Sequence, residues 1–146
     1  MSVGIRTIFG LSAALVLTSD QVLGASGLAS PIAASQTQKI KCWLPFSVGA
    51  TGGIQVQLVV PAGGTLFNAS FRINNPVTPS TIIAVQVASA AFAAALAVAG
   101  THWMEIEAEI VNGLTAGNVD LQIAQNTSDV LSLTLLRGAV MEATTI

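Results

Sequence analysis

His102-Trp103-Met104-Glu105-Ile106-Glu107-Ala108-Glu109-Ile110-Val111, closed by Asn112-Gly113, decides the fold. Met104, Ile106, Ala108 and Ile110 fall on one face of an extended chain. Trp103, Glu105, Glu107, Glu109 and Val111 fall on the other. That period of two specifies a strand with one buried face. Asn112-Gly113 and Thr115-Ala116-Gly117 are turn signals. Beyond them Val119, Leu121 and Ile123 alternate with Asp120, Gln122 and Ala124. Asn126-Thr127-Ser128-Asp129 marks another turn, and Leu131–Leu136 and Ala139–Thr144 read as two closing strands around Arg137-Gly138.

The same rhythm runs upstream. Ile40, Cys42, Leu44, Phe46 and Val48 alternate with Lys39, Lys41, Trp43, Pro45 and Ser47, and Pro45 implies an edge position or a bulge. After Thr51-Gly52-Gly53, Ile54, Val56, Leu58 and Val60 form a second alternating run. Pro61-Ala62-Gly63-Gly64 is a turn, Leu66–Ile73 a third strand, and Ile82–Val87 a fourth after Pro79-Ser80. Ser89–Gly100 is Ala-rich and leans toward a short helical turn ended by Gly100. Seven or eight short, closely spaced strands predict an all-β, antiparallel β-sandwich or jelly roll.

Composition narrows the function. Only 8% of the 146 residues are charged and 52% are hydrophobic, against about 25% charged in ordinary domains. Such a chain needs a membrane or other protein chains to cover it. A spanning helix takes about 20 consecutive apolar residues. Ile8–Leu17 is too short, and Thr81–Gly100 contains Gln86 and Ser89, so no membrane partner is expected. The cations Arg6, Lys39, Lys41, Arg72 and Arg137 are scattered, which argues against nucleic acid. The lone Cys42 excludes an intrachain disulfide and a Cys-rich zinc site, and reads as a small buried hydrophobe.

Residues 1–38 differ from the rest. Arg6 followed by Ile8–Leu17 superficially matches a secretory leader, but Gly10 and Ser12 interrupt the apolar run. The segment reads as an extended or partly helical N-terminal arm with a linker, ordered by docking on another molecule. Residues 39–146 then form the jelly-roll domain. Deleting residues 1–35 is expected to leave that domain folded.

Few residues carry chemistry. Glu105, Glu107 and Glu109 form a carboxylate row that could serve a cation or acid–base work. Residues two apart on a strand are about 6.5–7 Å apart, so the row reads better as a solvated face that discourages edge pairing. His102, the only histidine, reads as a polar strand end. No nucleophile elbow or His-Glu-x-x-His helix is present. Trp43 and Trp103 read as interface or core residues before they read as a ligand platform. No catalytic residue, metal site or cofactor is therefore expected.

Trp103–Thr144 resembles a family of bacteriophage virion domains, the small jelly-roll modules of tail fibres, head fibres and capsid decoration proteins. The residues that carry the resemblance are Asn112-Gly113, the block Thr115-Ala116-Gly117-Asn118-Val119-Asp120-Leu121-Gln122-Ile123-Ala124-Gln125-Asn126-Thr127-Ser128, and Gly138 to Glu142. It covers under a third of the chain well; Lys39–Ala99 matches only in strand rhythm. The resemblance implies a homotrimer on a threefold axis, tied to the particle by its N-terminal segment. No long shaft precedes the domain, unlike the fibres of this group.

The expectation is a non-enzymatic virion protein on the capsid surface: a trimeric decoration (cement) protein or short head spike bound to the major capsid protein. Ile5, Ile8, Phe9, Leu11, Leu15 and Leu17 would contact the shell. The alternatives are a tail-fibre or tail-tip protein recognising a host surface glycan, an enzyme acting on polysaccharide through the Glu105–Glu109 row, and a secreted β-sandwich.

Overall fold

The computed structural model describes residues 4–17, 22–74, 81–86, 92–94, 99–127 and 129–146. Its strands are β1 (Arg6–Gly10), β2 (Leu15–Leu17), β3 (Gly24–Ile32), β4 (Thr37–Val48), β5 (Ile54–Val59), β6 (Thr65–Asn74), β7 (Thr81–Gln86), β8 (Phe92–Ala94), β9 (Gly100–Val111), β10 (Gly117–Ala124), β11 (Leu133–Leu135) and β12 (Val140–Thr145). They form two antiparallel sheets. The large sheet runs β1-β12-β4-β9-β6-β7, with β2 and β11 joined to β4 beyond the end of β12; the small sheet runs β3-β10-β5-β8.

This order is a jelly roll. β11 and β12 both pair antiparallel with β4, one after the other, so they act as a single interrupted strand. β1 and β2 follow them in the same way at the sheet edge. Set the β6–β7 hairpin aside and eight strands remain. Their order is first–eighth–third–sixth in one sheet and second–seventh–fourth–fifth in the other. The hairpin extends the large sheet past β9.

The domain division read from the sequence does not follow this order. Within residues 1–38, β1 and β2 supply the first jelly-roll strand and β3 the second. Leu28 and Ile32 of β3 are buried in the common core, and each such side chain is worth about 1.5–3 kcal/mol. The described part of this segment is therefore extended, and it is a component of the sandwich.

The core sits between the sheets. The large sheet contributes Ile40, Leu44, Phe46, Met104, Ile106, Ile110 and Met141. The small sheet contributes Ile54, Val56, Leu58, Val119, Leu121 and Ile123. Phe71 of β6 stacks on Phe92 of β8 with ring centroids 5.0 Å apart. The helical leaning for Ser89–Gly100 fails where it can be compared. Phe92–Ala94 is a strand paired with Ile54–Val56, and Gly100 begins β9 at φ +123 instead of ending a helix. Residues 89–91 and 95–98 lie outside the described residues. Among the described residues no helix is long and apolar enough to cross a membrane.

Pro45 is neither at an edge nor in a bulge. It sits inside β4, opposite Trp103 of β9. A residue's nitrogen and carbonyl point to the same side of an antiparallel ladder. Pro45 accepts from the Leu136 N–H at 2.8 Å, so its nitrogen faces the start of the break between β11 and β12, where Leu136 O accepts instead from the Ala139 N–H at 3.2 Å.

Two hydrogen-bonded clasps close the ends. At one end Asn112 donates from its side-chain amide to Ala33 O (2.8 Å) and Thr115 O (2.9 Å). Asn112-Gly113 is thus a buried knot between two loops and not a tight hairpin turn. Gly113 lies so close to Gly63 that a Cβ on it would come within 2.7 Å of Gly63 O. At the other end the fully buried Gln125 donates to Leu131 O at 2.6 Å, and Asp129 accepts from Thr51.

Candidate functional site

The outer face of the large sheet gathers most of the polar chemistry. Strand alternation puts Lys39, Lys41, Trp43 and Pro45 outward on β4, opposite Glu109, Glu107, Glu105 and Trp103 of β9. β12 adds Glu142 beside Lys41. β6 adds Arg72 beside Glu105, and β1 adds Arg6, bonded to Glu142. Four of the five Lys and Arg residues and four of the seven Asp and Glu residues thus share one face.

The signs alternate from strand to strand. Arg6–Glu142 (2.5 Å), Lys41–Glu107 (3.3 Å) and Arg72–Glu105 (3.6 Å) are ion pairs. Lys39 stands opposite Glu109 in register. All are solvent-accessible, so each pair is worth about 0–1 kcal/mol. The carboxylate row is therefore not an edge guard. β9 lies inside the sheet with β4 on one side and β6 on the other, and the row is balanced by cations on those neighbours. Among the described residues no group of three or more His, Cys, Asp and Glu is placed to hold a metal ion.

A bulge in β6 shapes the far side. Phe67 pairs with Glu109 and Ser70 with Glu107, so one extra residue is accommodated at Asn68-Ala69. Asn68 takes up the positive φ of 50°. Phe67 and Asn68 both face outward while Ala69 stays buried.

Trp43 and Trp103 meet on this face. They are diagonal neighbours across the β4–β9 ladder, since Trp43 opposes Glu105 and Trp103 opposes Pro45. Their ring centroids are 5.4 Å apart with an interplanar angle of 35°, and they are 39% and 38% exposed. Beside Trp43 an open depression of about 300 Å³ is lined by Lys41, Glu105, Glu107, Val140 and Glu142. Alternation put both tryptophans on the polar face. Their meeting depends on the register between strands about sixty residues apart in the chain, which no local pattern encodes.

His102 is elsewhere. It shares the parity of Met104 and Ile106, so it points inward, and it is buried against Phe46 with centroids 5.6 Å apart. It is a core residue and not a polar strand end. Cys42 also points inward, and burial pushes its thiol up to about 12.

The six residues expected to contact a shell divide. Phe9, Leu11, Leu15 and Leu17 pack against the protein's own core. Ile5 and Ile8 are exposed, at 73% and 59%. Other large apolar side chains are exposed at the two ends of the sandwich: Val111, Leu114 and Ile146 near Ile5, and Val22, Val130 and Leu131 at the opposite end. Among the described residues the outer face of the small sheet is polar or small but almost uncharged, with Ala25, Ala29, Gln55, Gln57, Asn118 and Gln122 around the carboxylate of Asp120.

No family model and no curated protein matches the chain. Among solved structures it is similar to the Gt and Gx strain structures of infectious bursal disease virus. It is 12% identical to each, with TM-scores of 0.25 and 0.26, over 97% of this chain and 41% and 39% of theirs. A VP2 subviral particle of the same virus is 13% identical with a TM-score of 0.21, over 96% of this chain and 40% of the other. This chain spans about two fifths of the length of those chains. Likeness at this level carries no argument, and the jelly roll rests on the strand order itself.

Proposed function

We propose that this protein is a virion structural protein: a homotrimeric capsid decoration (cement) protein or short head spike seated on a shell of major capsid protein. The observation that carries this reading is the segregation of charge on a complete jelly roll. One face holds most of the charge and suits water. The remainder, comprising the small-sheet face and both apolar ends, has the charge-poor surface of a protein–protein contact. The phage-domain resemblance of Trp103–Thr144 points the same way.

In this reading the charged face looks outward and neighbouring copies meet through the charge-poor surfaces. Phe9, Leu11, Leu15 and Leu17 are committed to the protein's own core. Attachment to the shell therefore falls to the exposed ends, where Ile5 is the part of the expected contact set still available; Ile8 stands opposite Glu142 at the edge of the charged face.

Two measurements test this. Virus particles banded from the source should contain the chain in fixed ratio to the major shell protein by quantitative mass spectrometry. The purified protein should sediment at three times 14.8 kDa. Absence from the particles, or a monomer that persists at high concentration, overturns the proposal.

A further inference from the structure

We propose that the Trp43–Trp103 pair and the ion-paired groove beside it form a binding site for an uncharged oligosaccharide.

The chain has two tryptophans, and both stand on the outer sheet face, more than a third exposed, while smaller apolar residues fill the core. Their rings are 5.4 Å apart and tilted by only 35°. The two rings pack against each other, and what remains exposed of them is an apolar platform on the sheet face. A cage for an organic cation would instead need rings set steeply around a cavity.

The surroundings select the ligand. A sugar ring has an apolar C–H face and a rim of hydroxyls. The platform takes the first; the second needs fixed donors and acceptors alongside. Glu105 lies directly across the ladder from Trp43 and is held by Arg72 at 3.6 Å. Lys41 and Glu107 hold each other at 3.3 Å one step along the groove. Each charge is balanced by its neighbour, so no surplus charge remains to attract an ionic ligand. Nucleic acid and sialylated or sulfated glycans are disfavoured on that ground. The carboxylate, guanidinium and ammonium groups still offer directional hydrogen bonds to neutral hydroxyls. The depression of about 300 Å³ is open and borders the platform at Trp43, at the small end of ligand sites of about 300–1,000 Å³. It fits a chain of sugars laid along the sheet face better than one enclosed ring.

The protein reports on its own site. It has no tyrosine and both tryptophans are in the platform, so intrinsic fluorescence comes from this place. The full chain is applied to an array of neutral and acidic oligosaccharides, and the best neutral binder is titrated while tryptophan emission is followed. A saturable change is expected, with Trp43→Ala and Trp103→Ala each weakening binding about tenfold or more. Trp43→Phe should restore part of the loss. Glu105→Gln should weaken binding while thermal melting stays unchanged, which separates the site from folding. The proposal is overturned if no neutral glycan binds, if only acidic glycans bind, or if binding survives both alanine variants. It is also overturned if emission changes only with protein concentration as dimers form, because the face would then be occupied by a second copy.

Discussion

Thr51 donates two hydrogen bonds to one carboxylate oxygen of Asp129, from its backbone N–H at 3.1 Å and its hydroxyl at 2.7 Å. The other oxygen accepts from the Leu131 N–H at 3.0 Å. The Leu131 bond, then the Thr51 hydroxyl and backbone bonds, pull the carboxyl down to about 2. The folded value lies below the unfolded one, so the clasp contributes stability above about pH 4 and loses it as pH falls toward about 2. The amide resonances of Thr51 and Leu131 should titrate with a midpoint near pH 2. A midpoint in the ordinary carboxylate range would contradict the clasp. Gly49 leaves the room for it, since a Cβ there would overlap the Asp129 carboxylate. Gly49→Ala and Asp129→Ala should therefore both raise amide exchange at Thr51 and Leu131, and the double variant should add little.

The opposite end depends on Asn112. Its side chain satisfies the carbonyls of Ala33 and Thr115 from a buried position. Asn112→Ala leaves both unsatisfied and should cost about 1–3 kcal/mol. Gly113→Ala should cost a similar amount by a different route, because the new methyl meets the backbone of Gly63, which cannot rotate away. Chemical denaturation reads both. A loss below about 0.5 kcal/mol for either would show that the two loops part without penalty.

Cys42 sits between Ile106 of β9 and Met141 of β12 in register. Because its thiol is raised to about 12 by burial, almost no thiolate exists at pH 8–9, where a free cysteine is substantially ionised. A thiol reagent should react with the native protein only as fast as it opens, and at full rate in denaturant. Rapid labelling of the native state at pH 8 would mean that this part of the large sheet is not closed.

Phe92 shows why a local reading failed. Its neighbours are alanines, which favour a helix by propensity, yet it stacks on Phe71 across the two sheets and its strand completes the small sheet beside β5. Tertiary contact overrides propensity here. Phe92→Ala should cost about 3–5 kcal/mol by equilibrium unfolding. A cost near that of a surface change would mean the stack does not tie the β6–β7 hairpin to the small sheet.

What was legible was the strand set in which size and polarity alternate together. β4, β5, β9 and β10 carry large apolar residues inward and charged or amide residues outward, and each was readable from its own residues. β3 breaks that rule at alternate inward positions. Its buried positions include Ser26 and Ser30, while Ala25 and Gly27 face solvent. The serines are tolerable because they are bonded: Ser26 Oγ accepts from the Leu28 N–H at 3.1 Å, and Ser30 Oγ donates to Gln38 Oε1 at 3.4 Å. A binary pattern cannot reveal a strand whose polar side chains point inward. β1 hides for another reason, since an edge strand lying mostly in solvent buries too little to alternate.

Those hidden strands give the sharpest test of the fold. A free arm could be removed at no cost to the remainder, and deletion of residues 1–35 would leave a soluble folded body. The strand order requires otherwise. Deletion removes β1, β2 and β3, and with them the ladder partners of β12, β11 and β10. It strips Leu28 and Ile32 from the core and exposes the apolar edge of the small sheet. Losing two fully buried large side chains alone costs about 3–6 kcal/mol, a large share of the total of about 5–15 kcal/mol for a domain this size. The truncated chain should be insoluble or lack cooperative melting by circular dichroism. A shorter deletion of residues 1–4, which leaves every described strand intact, should melt like the full chain. A cooperative melt of the 36–146 fragment near the full-length temperature would show that residues 6–32 are an appendage, and the eight-strand jelly roll would have to be withdrawn.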